Sequence, residues 1–219
     1  MSIHVQPPST SEAIDAVKDS FDISVSEVSP SPPPSERFLI QSPYTEQDHL
    51  LDLTRLDHEN ILLAKALTKM DKIRQDYATA PYKESFNWPV VIEELKRLVN
   101  ESGKGFKETS FYVVAFRSQI KPETDYSHLG ALDKDAHAEA IASGGFLKYW
   151  FGEPDTELRN LATCLWRSKD EAIAGGRGPA HRKAAMSTRA LYAYWKIDQH
   201  RLTISDNVDS WDITTWTDE

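Results

Sequence analysis

The sequence predicts an α+β fold of the ferredoxin-like split βαβ type, carrying an N-terminal helical extension. Three observations carry this. The second half of the chain alternates β-rich and helix-patterned stretches in the order strand, helix, strand, strand, helix, strand. A chain of 219 residues with 40% apolar and 10% aromatic content is long enough for one core with an appendage. Between that half and a Pro/Ser-rich N-terminus lies a stretch whose apolar residues recur at three- and four-residue steps.

Residues 1–36 read as a disordered acidic tail. Pro7, Pro8, Pro30 and Pro32 to Pro34 deny it regular structure, and Glu12, Asp15, Asp19, Asp22, Glu27 and Glu36 face only Lys18. The alternating stretch from Phe21 to Glu27 is a candidate for adding as a strand to a protein partner. Residues 37–105 form the helical extension, expected to pack on the core. Phe38 to Gln41 is a short extended piece. Thr45 opens a helical region with the stripe Leu53, Leu56, Leu63, Leu67, Met70 and Tyr77, broken near Asp57 and closed at Pro81. A second helix starts at Asn87-Trp88-Pro89 and ends at Gly103. His49 and His58 fall on the polar faces and read as surface residues.

Residues 106–219 form the α+β domain. Phe111 to Arg117 is the clearest strand, and Lys121-Pro122 ends it. A short helix follows from Leu132, with Asp133 as its cap and Gly144 as its stop. Phe146 to Phe151 and Asn160 to Trp166 are the next strands. A helical region from Lys169 to Tyr192 is interrupted at Gly175-Gly-Arg-Gly178-Pro179. Trp195 to Ser205 and Trp211 to Trp216 are the last strands, joined at Asp206-Asn207.

The net charge of −9 argues against nucleic-acid binding, which needs a basic surface. Cys164 is the lone cysteine, so neither a disulfide within the chain nor a thiolate-rich metal site is available. No metal constellation is expected, because His128 and His137 share no helical face and Asp133, Asp135 and Glu139 read as ordinary acids. No run approaches the roughly 18–20 apolar residues of a membrane span. The expected compartment is cytoplasmic, with the nucleus as the alternative.

The chemistry concentrates between Arg159 and Arg189. The Gly-rich break lacks the Lys-Ser/Thr ending of a phosphate loop and follows no strand. Free N–H groups at the helix starting near Pro179 are an anion site in principle, but a simple kink is the plainer reading. Cys164, mid-strand, reads as packing. His181 is the catalytic candidate, as a base on the basic helix. The substrate-binding candidates are Trp166 at a strand end, the aromatics Tyr149 and Trp150, and Arg167 and Arg182, which would orient an anionic group or stabilise an enolate.

From Phe111 onward the chain resembles a family of uncharacterised fungal proteins of unknown function. The residues that carry this are FYVVAFRS, SGGFLKYWFGEPDTELRNLATCLWRSKDEA, GPAHRKAA, and LYAYWKIDQHRLTISDN with WDITTW. More distantly, Leu165 to Ala172 followed by Gly178 to Ala184 is similar to antibiotic-biosynthesis-monooxygenase-like proteins, which are dimeric α+β barrels. That resemblance implies a possible homodimer through the sheets and a small organic ligand between sheet and helices. It also implies chemistry without a cofactor. In haem-degrading members an Asn, a Trp and a His act. Trp166 and His181 match two of these, while Asn160 stands on the wrong strand, so haem is the lesser alternative. The function expected is that of a small-molecule-binding, enzyme-like protein. It would be a cofactor-independent monooxygenase, or an isomerase or cyclase, on an aromatic or polyketide-like substrate. The alternative is a non-catalytic interaction or ligand-binding protein.

Overall fold

The computed structural model describes residues 37–218. The proposed tail and its protein partner therefore lie outside the described residues. The centre is one five-stranded antiparallel sheet. Its strands are β3 (Thr109–Ile120), β4 (Phe146–Phe151), β5 (Arg159–Trp166), β6 (Tyr192–Ile204) and β7 (Trp211–Thr215), in the spatial order β4-β5-β3-β6-β7. The first and second strands of the domain, β3 and β4, are separated in the sheet by β5, which is the split βαβ arrangement. The connecting helices are α4 (Tyr126–Ser143), α5 (Lys169–Gly175) and α6 (Pro179–Leu191).

Alternation along β3 sorts the core into two sides. Phe111, Val113 and Ala115 are fully buried in the larger apolar cluster, together with Leu63, Trp88 and Leu95 of the N-terminal region. Tyr112 and Val114 face the other way, toward Ala140 of α4 and Phe146 and Trp166. The sheet is thus sandwiched between the extension and the helices of its own domain.

The extension comprises β1 (Phe38–Leu39), β2 (Leu51–Asp52), α1 (His58–Ala66), α2 (Tyr82–Ser85) and α3 (Trp88–Ser102). Helix α3 starts and stops as its sequence predicts, with Pro89 in the first turn and Gly103 left-handed at φ 65°. The helix expected from Thr45 does not form. Short 3-10 turns at Gln47–His49 and Leu53–Arg55 flank β2, and α1 begins only after Asp57, whose side chain caps Asn60. The expected break at Asp57 is therefore the true start. Among the described residues no helix is long and apolar enough to cross a membrane.

Polar side chains fasten the extension to the sheet. Arg117 on β3 donates to the carbonyls of Ala78 at 2.5 Å and Ala80 at 2.8 Å, and pairs with Asp198 at 3.0 Å. The Tyr82 hydroxyl lies 2.9 Å from Thr163 Oγ1. Tyr77 donates to Asn160 Oδ1 at 2.8 Å.

Candidate functional site

A cavity of about 400 Å³ lies between the sheet and helices α4 and α6. Its size follows from the side chains on either side. The helices contribute Ala136, Ala140, Ala184 and Ala185, while the sheet contributes aromatics, so the layers are held apart without being filled. Volumes of this order suit a small organic ligand.

His181 lines the cavity. Its Nδ1 lies 2.7 Å from Glu139 Oε1. Glu139 also accepts the backbone N–H of Ala180 at 2.9 Å and of His181 at 3.2 Å. One carboxylate therefore occupies the free N-terminus of α6 and orients the ring, while Nε2 has no partner among the described residues. The anion site considered for this helix start is filled from within the chain. Burial acts to raise the Glu139 carboxyl. The two amides and the His181 ring outweigh it and hold the carboxyl below its ordinary value. Gly178 makes this contact possible, since a Cβ there would lie 2.0 Å from Glu139 Cδ.

Trp166 is buried and lines the cavity. Its indole packs edge-on to Phe146, and its N–H points at Cys164 Sγ, 3.1 Å away. A Cβ on Gly175 would lie 2.4 Å from the indole, so the first glycine of the break also serves a close approach. Cys164 lines the cavity beside it, and burial pushes its thiol up to about 11. The sulfur is therefore no nucleophile at neutral pH.

Tyr149 lines the cavity too, but Trp150, the next residue on β4, faces the opposite side. There it stands edge-on to Tyr77 and Phe86 in the extension core. Arg167 and Arg182 are not in the lining. Arg167 pairs with Glu171, and Arg182 donates to the carbonyl of Arg177. The structure thus brings His181, Trp166 and Tyr149 together and leaves Trp150 and both arginines outside.

Two groups with the sequence pattern of ordinary helix residues, Asp133 and His137, lie in the cavity wall. Helix α4 starts at Tyr126 with Asp125 as its cap, so the cap lies about two turns before Asp133, the expected one. Asp133 is consequently an interior position. Its carboxyl accepts from the Tyr44 hydroxyl at 2.5 Å and from the Tyr149 hydroxyl. Burial raises it, opposed by the two phenols and by nearby His181. One turn on, His137 is buried, with Nδ1 2.8 Å from Nδ1 of His49. His49 is buried as well, which corrects its reading as a surface residue. Burial lowers both imidazoles, His137 to about 3. His137 Nε2 is buried without a partner and its residue lines the cavity. The signal for both was present: Leu129, Leu132, Asp133, Ala136, His137 and Ala140 form one helical stripe. Asp133 also has the residue type of a helix cap, and in that role it would stand outside the stripe. Among the described residues no group of three or more His, Cys, Asp or Glu could hold a metal ion.

A family description, PB2B2.08-like, matches residues 40–215. That span includes the sheet, the cavity and nearly all of the described extension. The chain belongs to the PB2B2.08-like family. UPF0643 protein PB2B2.08 of Schizosaccharomyces pombe (strain 972 / ATCC 24843) is 37% identical over 182 residues, covering 80% of this chain and 83% of that protein. A crystal structure of a "putative Antibiotic biosynthesis monooxygenase" from Chloroflexus aurantiacus J-10-fl is 17% identical and has a TM-score of 0.32. It covers 50% of this chain and 95% of its own. The ferredoxin-like assignment of this family member stands on its own strand order and pairing.

Proposed function

We propose that this protein binds a small, largely apolar molecule in the cavity between sheet and helices and moves a proton on it, with His181 as the base. The observation that carries the reading is the tethered imidazole. Glu139 accepts from Nδ1–H, which sets the tautomer and leaves the lone pair of Nε2 for the ligand. The aromatic wall of Phe146, Tyr149 and Trp166 excludes water and suits a planar ligand. An isomerase or cyclase requires only this proton transfer. A cofactor-independent oxygenase would begin with the same deprotonation.

Mass spectrometry of small molecules that co-purify with the full chain identifies the ligand, and deuterium exchange into it in heavy water then reads the proton transfer. His181→Ala and Glu139→Gln are expected to slow that exchange, the first by about 10²–10⁴-fold. Met186→Ala, on the exposed side of α6, is expected to leave it unchanged. Exchange at the wild-type rate in His181→Ala, with the compound still bound, would reject His181 as the base, and exchange in wild type no faster than in the free compound would reject catalysis and leave a ligand-binding protein.

A further inference from the structure

We infer that the ligand of this cavity is an arylalkylamine, a planar aromatic ring with an amine on a short alkyl arm, bound with its ammonium group against Asp133. The inference rests on the cavity being the binding site and adds the charge of what it takes.

The cavity lining contains neither lysine nor arginine. The nearby cations are engaged elsewhere: Lys134, adjacent on α4, pairs with Glu46, Arg167 with Glu171, and Arg182 with a backbone carbonyl. The wall does contain a carboxyl, that of Asp133. Each of its oxygens accepts one phenolic hydroxyl, and a carboxylate has lone pairs for about two bonds per oxygen. Two acceptor directions are therefore left for a ligand. A carboxylate in such surroundings is costly unless it takes up a proton or a cation joins it, and apart from His181, which the proposed function requires as a neutral base, the lining supplies no cation.

A second group points the same way. His137 follows Asp133 by one helical turn, so both side chains emerge on the same face of α4. Its Nε2 is buried without a partner. When His137 donates its Nδ1 hydrogen to His49, Nε2 offers a lone pair to the cavity. An ammonium group, with three N–H donors, suits a carboxylate and an imidazole acceptor together. The faces of Tyr149, Phe146 and Trp166 attract a cation further and stack on a flat ring. An anionic ligand would meet Asp133 and neither lysine nor arginine, the reverse of the arrangement expected from Arg167 and Arg182.

Isothermal calorimetry on the full chain with naphthylethylamine, naphthylethanol and naphthylacetate tests this, since the three probes share a ring and differ in charge. The amine is expected to bind about 10-fold tighter than the alcohol, with the acid weakest. Asp133→Asn should erase the advantage of the amine. Ala184→Trp, which fills the cavity, should abolish binding of every probe. Binding of the alcohol or the acid as tight as that of the amine, blocked by Ala184→Trp, would overturn the amine assignment while the cavity stands as a binding site. Amine binding that survives Ala184→Trp would overturn it too, because the amine would then sit elsewhere. If none of the three binds, the cavity reading and the amine assignment fall together. Should Asp133→Asn not fold, the wild-type ranking and Ala184→Trp still decide.

Discussion

At the scale of single residues, Glu139 determines what His181 is. Without it the histidine would be one more polar residue on α6. With it the ring is fixed at the cavity and the helix N-terminus is neutralised. Gly178→Ala would push a Cβ into the carboxyl, so Glu139 must swing away and surrender its bonds. Urea unfolding is expected to show a loss of about 1–3 kcal/mol. Gly176→Ala, whose nearest contact beyond its chain neighbours is 3.4 Å away, should be close to neutral. The depressed Glu139 carboxyl also fixes a pH dependence. Its contribution is complete above the ordinary glutamate value of 4.5 and is lost as pH falls through the lower folded value. The stability advantage of wild type over Glu139→Gln should therefore shrink on acidification, as acid-titrated unfolding would show. Cys164, with its thiol held near 11, should resist a disulfide reagent at neutral pH in the native protein and react fully in denaturant. The reading of Cys164 as a packed, unreactive thiol came from its mid-strand position. The pairing of Glu139 with His181, 42 residues apart, had no local signal.

At the scale of elements, the strands were legible and the helix starts were not. The β-branched and aromatic runs of β3, β4 and β5 identify themselves. Helix α4 begins earlier than its sequence suggests because Asp125 and Asp133 both have the residue type of a cap, and only packing distinguishes them. Its correct start turns the helix so that Asp133 and His137 face the cavity. Strand β4 carries a second surprise. Its register shifts between Phe146 and Lys148, so Lys148 is paired across from Leu165 and buried on the extension side. Burial lowers its ammonium to about 8, with Asp71 opposing. The folded value lies below the ordinary 10.5, so the folded protein binds fewer protons between these limits and its stability rises with pH across that window. Lys148→Met is expected to stabilise the protein by about 1–3 kcal/mol at neutral pH. The gain should fade as pH rises from about 8 to 10.5, read by chemical denaturation at each pH.

At the scale of the whole molecule, the extension performs two tasks. It covers the sheet face formed by Phe111, Val113, Leu165 and Leu202, all fully buried. It also reaches around β4 to deliver Tyr44 to Asp133 and His49 to His137. A homodimer formed sheet to sheet, as the resemblance to dimeric barrels implied, would need a face that this chain already covers. A fragment of residues 106–219 would expose that apolar face and lose the partners of Asp133 and His137. Size-exclusion chromatography is expected to show it aggregated or associated, in contrast to the full chain.

The sequence by itself determined the sheet, its split βαβ order, the helix pair over it and the position of Trp166 at a strand end. These depend on periodicity and turn chemistry, which are local. Only the tertiary structure decided which polar residues matter. Arg167, Arg182 and Trp150 stand close in sequence to His181 and Trp166, yet strand alternation and helix rotation carry them away from the cavity. Asp133, His137 and Glu139 were legible only as helix acids and a histidine. Their partners Tyr44, His49 and His181 lie 89, 88 and 42 residues away. Burial and long-range pairing give these groups their chemistry, and neither is written in a residue's immediate neighbours.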